Sequence, residues 1–288
     1  MESFFSFLER RVDDCSSLLC VGLDPHVSDL SAPTAEAARA FCLTLVKQTA
    51  RYAAAFKPNA AFFEVLGARG WTALRQVIEA VAEESARMGS MIPVILDAKR
   101  GDIASTAEAY AKSAFDKLGA HAITLNPYLG RDSIEPFLQD PEKGVFLLCK
   151  TSNAGVSDLQ DLLVDGGRPA VDGKPQFEPL YIHVARLAQS WNNRRNIGLV
   201  VGATQPEALA RVRAAAADLW LLAPGVGAQG GELETALEAG LRSDGKGMLI
   251  NVSRSLARAQ DPARAAAELR DEIVGIRHQL ESSRRARG

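Results

Sequence analysis

Asp97, Lys99 and Asp102 stand close together in Val94-Ile-Leu-Asp-Ala-Lys-Arg-Gly-Asp-Ile103, an acid, a base and a second acid. The run Met91–Leu96, entered through Pro93, is apolar and short, which suits a buried parallel strand. Side chains alternate along a strand, so Asp97 and Lys99 share one face and Ala98 takes the other. Arg100-Gly101 ends the strand, and Asp102 opens a helical stretch beginning Ile103-Ala-Ser-Thr. Charges leaving a buried strand are costly unless fully paired, and such clusters concentrate at functional sites. A positioned ammonium between carboxylates is equipped to stabilise negative charge and to deliver a proton. A purely structural ion pair at a strand end is the alternative.

Eight short apolar runs could supply the strands that position this group. They are Leu18–Leu23, Ala53–Phe56, Ile92–Leu96, Ala122–Leu125, Val145–Cys149, Ile197–Val201, Leu219–Ala223 and Met248–Asn251. Helical stretches lie between them at Thr34–Arg51, Trp71–Met88, Ser105–Leu118, Ser133–Leu138, Pro179–Trp191, Pro206–Ala216 and Glu232–Ala239, with a closing helix over Pro262–Leu280. Strict βα alternation implies a parallel sheet, and eight units favour a closed (β/α)₈ TIM barrel over an open doubly wound sheet. The 288 residues are read as a single domain, 1–288, with a barrel core of about 16–280. Phe4, Phe7 and Leu8 mark one side of an amphipathic N-terminal helix. Ala154–Glu178 is the one long irregular connection, and following the fifth strand it should emerge on the active-site face. The tail 281–288 is polar and basic and is expected to fray.

Composition narrows the partners. With 33 Lys and Arg against 35 Asp and Glu, charge is nearly balanced, which argues against a nucleic-acid surface while leaving room for a local anion site. No apolar run approaches the roughly 20 residues of a membrane span, and the N-terminus lacks signal-peptide order. Cys15, Cys20, Cys42 and Cys149 show no metal-ligand spacing and read as buried free thiols of a cytoplasmic protein. His26, His121, His183 and His278 are scattered, and no metal centre is signalled.

In a barrel of this kind the reacting groups sit at the carboxyl ends of strands. The runs end in Asp24-Pro25, Lys57-Pro58-Asn59, Asp97 and Lys99, Asn126-Pro127, Lys150-Thr151-Ser152-Asn153, the glycine-rich Gly225–Gly231 containing Gln229, and Asn251-Val-Ser253-Arg254. Singly, Asp24 could cap a turn, Lys57 could be a snorkelling surface lysine, and Ser152 a common loop residue. Arg254 is more pointed, because loops after strands seven and eight commonly hold phosphate, and an arginine there offers a permanently charged fork.

Asp-Ala-Lys-Arg-Gly-Asp-Ile, with these strand ends from about Leu18 to Arg254, resembles the orotidine 5′-phosphate decarboxylase family, in particular its longer bacterial branch. The resemblance implies cofactor-independent conversion of orotidine 5′-phosphate to UMP in pyrimidine biosynthesis. It implies that Asp97, Lys99 and Asp102 are the catalytic acid, proton donor and second acid, joined by Lys57. Asp24 resembles a ribose-hydroxyl ligand, Ser152 the reader of the pyrimidine amide edge, and Gln229 and Arg254 phosphate ligands. A homodimer is implied too, with Asp102 and Thr106 reaching the neighbouring site. Ala104 and Ala154 depart from the Gly and Pro usual in that branch, and they bear on loop stiffness rather than on chemistry.

The chemistry asks for such residues. Loss of CO₂ from C6 of the pyrimidine leaves an electron pair in the ring plane, where the ring carbonyls cannot delocalise it. The usual remedies are a metal or an electron-sink cofactor, and the sequence advertises neither. An ammonium at C6, here Lys99, would stabilise the pair and then protonate it. The competing reading, a magnesium-dependent sugar-phosphate decarboxylase or aldolase of the same superfamily, needs a carboxylate at the end of strand two. That position is Lys57, and the nearest acid, Glu64, follows an apolar run.

Overall fold

In the computed structural model, which describes residues 2–167, 175–225 and 230–287, all eight apolar runs become strands. In chain order they begin with β1 (Leu19–Leu23), β2 (Ala55–Pro58), β3 (Ile95–Arg100), β4 (Ala122–Leu125) and β5 (Gly144–Lys150). A small antiparallel pair, β6 (Leu163–Asp165) and β7 (Phe177–Pro179), precedes β8 (Ile197–Val201), β9 (Trp220–Pro224) and β10 (Met248–Val252). The eight parallel strands run β2-β1-β10-β9-β8-β5-β4-β3. Bridges Phe56–Val94 and Asn59–Asp97 join β2 to β3, so the sheet comes round on itself as a TIM barrel. Closure removes the free edges of a parallel sheet, and helices cover its outer face.

The helices are α1 (Phe4–Cys15), α2 (Ala35–Thr49), α3 (Ala61–Glu64), α4 (Gly67–Met88), α5 (Ala104–Lys112), α6 (Leu180–Trp191), α7 (Pro206–Ala215), α8 (Gly230–Gly240), α9 (Arg254–Ala257) and α10 (Pro262–Arg287). The amphipathic helix expected at the N-terminus is α1, begun by the Ser3 hydroxyl accepting from the Ser6 N–H. Its Phe4, Phe5, Leu8 and Val12 are buried. Phe4 and Phe5 meet the Phe146 ring edge-on, and Phe5 stacks on Trp220. A Cβ on Gly144, the first residue of β5, would lie 2.3 Å from the Phe4 ring. Helix α1 therefore stoppers the end of the barrel where the strands begin, opposite the end that carries the polar residues. Each such buried ring is worth roughly 1.5–3 kcal/mol.

Four segments differ from the sequence expectation. Ser133–Leu138 forms 3-10 turns at Arg131–Ser133 and Glu135–Leu138, because Pro136 lacks an N–H and the stretch is too short to sustain a helix. The helix expected to reach Leu118 ends at Lys112 and passes into a wider turn, Ser113–Lys117. Helix α10 runs to Arg287, through the tail expected to fray, on good helix formers such as Glu, Gln, Arg and Ala. The connection after the fifth strand is not wholly irregular: Ala154–Asp158 is a 3-10 turn, and β6 and β7 form a hairpin. Among the described residues no helix is long and apolar enough to cross a membrane.

Candidate active site

The motif strand is bulged where its chemistry lies. Leu96 pairs with Ile123 and Arg100 with Leu125, so β3 carries two more residues than β4 over that interval. Lys99 sits inside the bulge at φ 47°, a left-handed conformation that is unfavourable for a side chain with a Cβ. Thr124 of β4 compensates. Its hydroxyl oxygen accepts from the Ala98 N–H (3.0 Å) and the Lys99 N–H (2.9 Å), replacing ladder bonds that the bulge removes. The same hydroxyl donates to Asp97 Oδ1 at 3.0 Å. Strained backbone of this kind collects at functional sites when its surroundings over-determine it.

Around Asp97 the charges alternate. Lys57 Nζ, at the end of β2, donates to Asp97 Oδ2 at 2.8 Å, and Lys99 Nζ donates to Asp97 Oδ1 at 2.5 Å. Lys57 and Asp97 are buried, while the Lys99 side chain is about half exposed (49%) and so faces an opening. Burial alone would push the Asp97 carboxyl up; Lys57 and Lys99 outweigh it and hold the group well below the usual carboxylate range. Burial likewise pushes the Lys57 ammonium down, and Asp97 and Asp24 overcome this to hold it raised. Both groups therefore remain charged across the neutral range.

A cavity of about 450 Å³ opens over this group. Lys57, Asp97, Lys99 and Thr124 form one side, Thr151, Ser152, Asn153 and Gln160 another, and Leu148, Val200, Leu222 and Pro224 an apolar wall. Such a space suits a flat ligand with polar edges. The structure thus gathers Lys57, Asp97, Lys99 and Ser152 in one site.

The other expected residues lie around it. Asp24, just past β1, is half-buried, and its Oδ1 is buried with no hydrogen-bond partner among the described residues. It is near enough to Lys57 to raise that ammonium. Asp102 accepts from the Ile103 N–H at 2.8 Å, one residue before α5, and Thr106 is exposed on the first turn of α5. Neither lines the cavity of its own chain. Arg254 is exposed at the start of α9; its carbonyl accepts the Arg258 N–H, and its guanidinium makes no hydrogen bond or ion pair with a described residue. Gln229 lies outside the described residues.

Thr124 and Gln160 were missed by a reading confined to strand ends. Thr124 is inside an apolar strand, and Gln160 is in the long connection after β5. Glu64 is engaged by Arg100 in an ion pair, and Arg100 also lies over the Tyr110 ring. No three His, Cys, Asp or Glu side chains among the described residues are grouped to hold a metal ion.

The orotidine 5′-phosphate decarboxylase / HUMPS family model matches residues 17–269. The orotidine 5′-phosphate decarboxylase of Roseiflexus castenholzii is 46% identical over 288 residues, covering 99% of each chain. That of Roseiflexus sp. strain RS-1 is 46% identical over 275 residues, covering 94% of each. The solved OMP decarboxylase of Leishmania donovani is 55% identical, with a TM-score of 0.82, and the match covers 96% of this chain and 99% of that one.

Proposed function

This chain belongs to the orotidine 5′-phosphate decarboxylase / HUMPS family and decarboxylates orotidine 5′-phosphate to UMP, and from that premise we infer how its residues perform the reaction. The observation that carries the reading is the Lys57–Asp97–Lys99 array at the foot of the cavity, with the half-exposed ammonium of Lys99 turned to the opening. The pyrimidine lies against Leu148, Val200, Leu222 and Pro224, and Ser152 reads its amide edge. The bond from C6 to the carboxylate carbon breaks, CO₂ leaves, and the electron pair stays on C6. Lys99 stabilises that pair from a fixed position and gives C6 a proton, then regains one from solvent. Asp97 and Lys57 keep Lys99 charged and aimed, so little reorganisation is needed as the charge develops.

Remote groups supply binding energy that helps offset the cost of assembling these charges beside the substrate carboxylate. Arg254, unpaired among the described residues, takes the phosphate together with Gln229, and the unsatisfied Oδ1 of Asp24 takes a ribose hydroxyl. Asp102 and Thr106 serve the site of a second subunit. The apolar residues beside them support that pairing: Ile103, Tyr128 and Leu129 are all exposed in the single chain. Four free, buried thiols fit a cytoplasmic setting. The alternative magnesium-dependent chemistry is disfavoured by Lys57 in place of a strand-two acid and by the pairing of Glu64 with Arg100.

The deciding assay follows the ultraviolet absorbance of orotidine 5′-phosphate with EDTA present. Full turnover without added metal is expected; a strict Mg²⁺ requirement would overturn the reading.

A further inference from the structure

Ser152 is exposed on a loop, and a loop hydroxyl discriminates poorly unless something fixes it. The strand before it is bulged. Leu148 pairs with Val200 and Lys150 with Val201, leaving one extra residue in β5. Leu148 lines the cavity, while Cys149 and Lys150 both turn toward α6: the Cys149 thiol donates to the Tyr181 carbonyl, and Lys150 Nζ lies 5.1 Å from the centre of the Tyr181 ring. Lys150 is almost fully buried and donates to Asp161 Oδ1 at 2.5 Å. The bulge therefore withdraws the strand-end lysine from the cavity and uses it to anchor the long connection.

The residue before that anchor reaches back to the loop. Gln160 Oε1 accepts from the Thr151 N–H at 2.8 Å, and Gln160 Nε2 donates to Thr151 Oγ1 at 2.8 Å. The Thr151 hydroxyl donates in turn to Asn153 Oδ1 at 2.6 Å, so the residues on both sides of Ser152 are tied. Gln160 is itself held. Its N–H donates to the Val156 carbonyl, and its carbonyl accepts from the Tyr181 N–H. Gly202 adds a close backbone wall, since a Cβ there would lie 3.1 Å from Ser152 Cβ.

We infer that Gln160 is a positioning residue for pyrimidine recognition, which clamps Thr151-Ser152-Asn153 so that the Ser152 hydroxyl is held at the base. This gives the connection after β5 a task in specificity, and it rests on the reading of Ser152 as the base contact. The effect should be confined to ligands that carry a base.

The test compares Gln160→Leu, Gln160→Glu, Ser152→Ala and the double variant Gln160→Leu/Ser152→Ala, each first shown to melt within a few degrees of wild type. UMP affinity, kcat/KM on orotidine 5′-phosphate and inhibition by ribose 5-phosphate are measured. Gln160→Leu should lower UMP affinity and kcat/KM about tenfold, the scale of one or two neutral hydrogen bonds, and leave inhibition by ribose 5-phosphate unchanged. Gln160→Glu keeps the acceptor for the Thr151 N–H and should fall between Gln160→Leu and wild type. The double variant should be no worse than Ser152→Ala. Losses that multiply in the double variant, or an equal loss for ribose 5-phosphate, would overturn the inference. If Ser152→Ala weakens UMP and Gln160→Leu does not, the clamp is wrong and the Ser152 reading stands. If Ser152→Ala leaves UMP affinity untouched, the Ser152 reading falls and takes the clamp with it.

Discussion

Lys99 combines two burdens, a left-handed backbone and a half-exposed charge, and both bear on how it should respond to substitution. Its ammonium matters most once negative charge develops at C6, so it contributes more to the transition state than to the bound nucleotide. Lys99→Ala is expected to remove nearly all turnover while UMP still binds, as read by calorimetry. Binding lost in step with turnover would make Lys99 a structural residue. Asp97 and Lys99 were legible as partners because they stand two residues apart at a strand end. The bulge that brings them together, however, breaks the regular alternation the sequence alone would give. Thr124 was not legible, since its role depends on which residue of β4 lies opposite a bulge, and lateral register is absent from a single sequence. The engagement of Glu64 by Arg100 was hidden for the same reason: the two meet across neighbouring βα units.

At the scale of elements, the entry to α5 and the β3–β4 pair each carry a measurable consequence. Ala104, the first residue of α5, has φ 48°, where a Cβ is strained and glycine is not. Ala104→Gly should therefore stabilise the protein by roughly 0.5–1 kcal/mol in urea unfolding, after allowing for the greater freedom of glycine in the unfolded chain. An unchanged or lower midpoint would mean that the strain is relieved elsewhere. On the other side of β3, His121 Nδ1 accepts the Val94 N–H at 3.1 Å. Burial, with Lys143 nearby, lowers its pKa from 6.5 to about 4. Between those values the unfolded chain binds the proton more readily, so this stability is full above about pH 6.5 and is lost as pH falls toward 4. Wild type should lose about 2 kcal/mol from this group between pH 7 and pH 5. His121→Asn keeps an acceptor for Val94 and should flatten that slope; parallel slopes would refute the assignment. The eight strands themselves were legible from runs of apolar residues. The 3-10 turns near Pro136 and the β6–β7 hairpin were not, because short elements are set by tertiary contacts more than by periodicity.

For the whole molecule the question is whether one chain holds a complete site. Asp102 and Thr106 lie outside their own cavity, so the proposed dimer would assemble each site from Lys99 of one chain and Asp102 of the other. Lys99→Ala and Asp102→Ala homodimers should both be impaired. Co-refolding them in equal amounts makes about half the dimers mixed, and a mixed dimer carries one intact site, so roughly a quarter of all sites should recover. Activity no higher than the mean of the two variants, with subunit exchange demonstrated, would place Asp102 in its own site. The barrel has one more consequence, for the chain during its synthesis. Strand β1 sits between β2 and β10, with Leu19 facing Ile250. On the ribosome, β2 follows β1 early, whereas β10 emerges only when the chain is nearly finished. Until then β1 keeps one apolar edge bare, a template for pairing with another nascent chain. Translation that stalls short of Met248 thus leaves a polypeptide with an exposed strand edge, a substrate for holding chaperones and proteases rather than an inactive barrel.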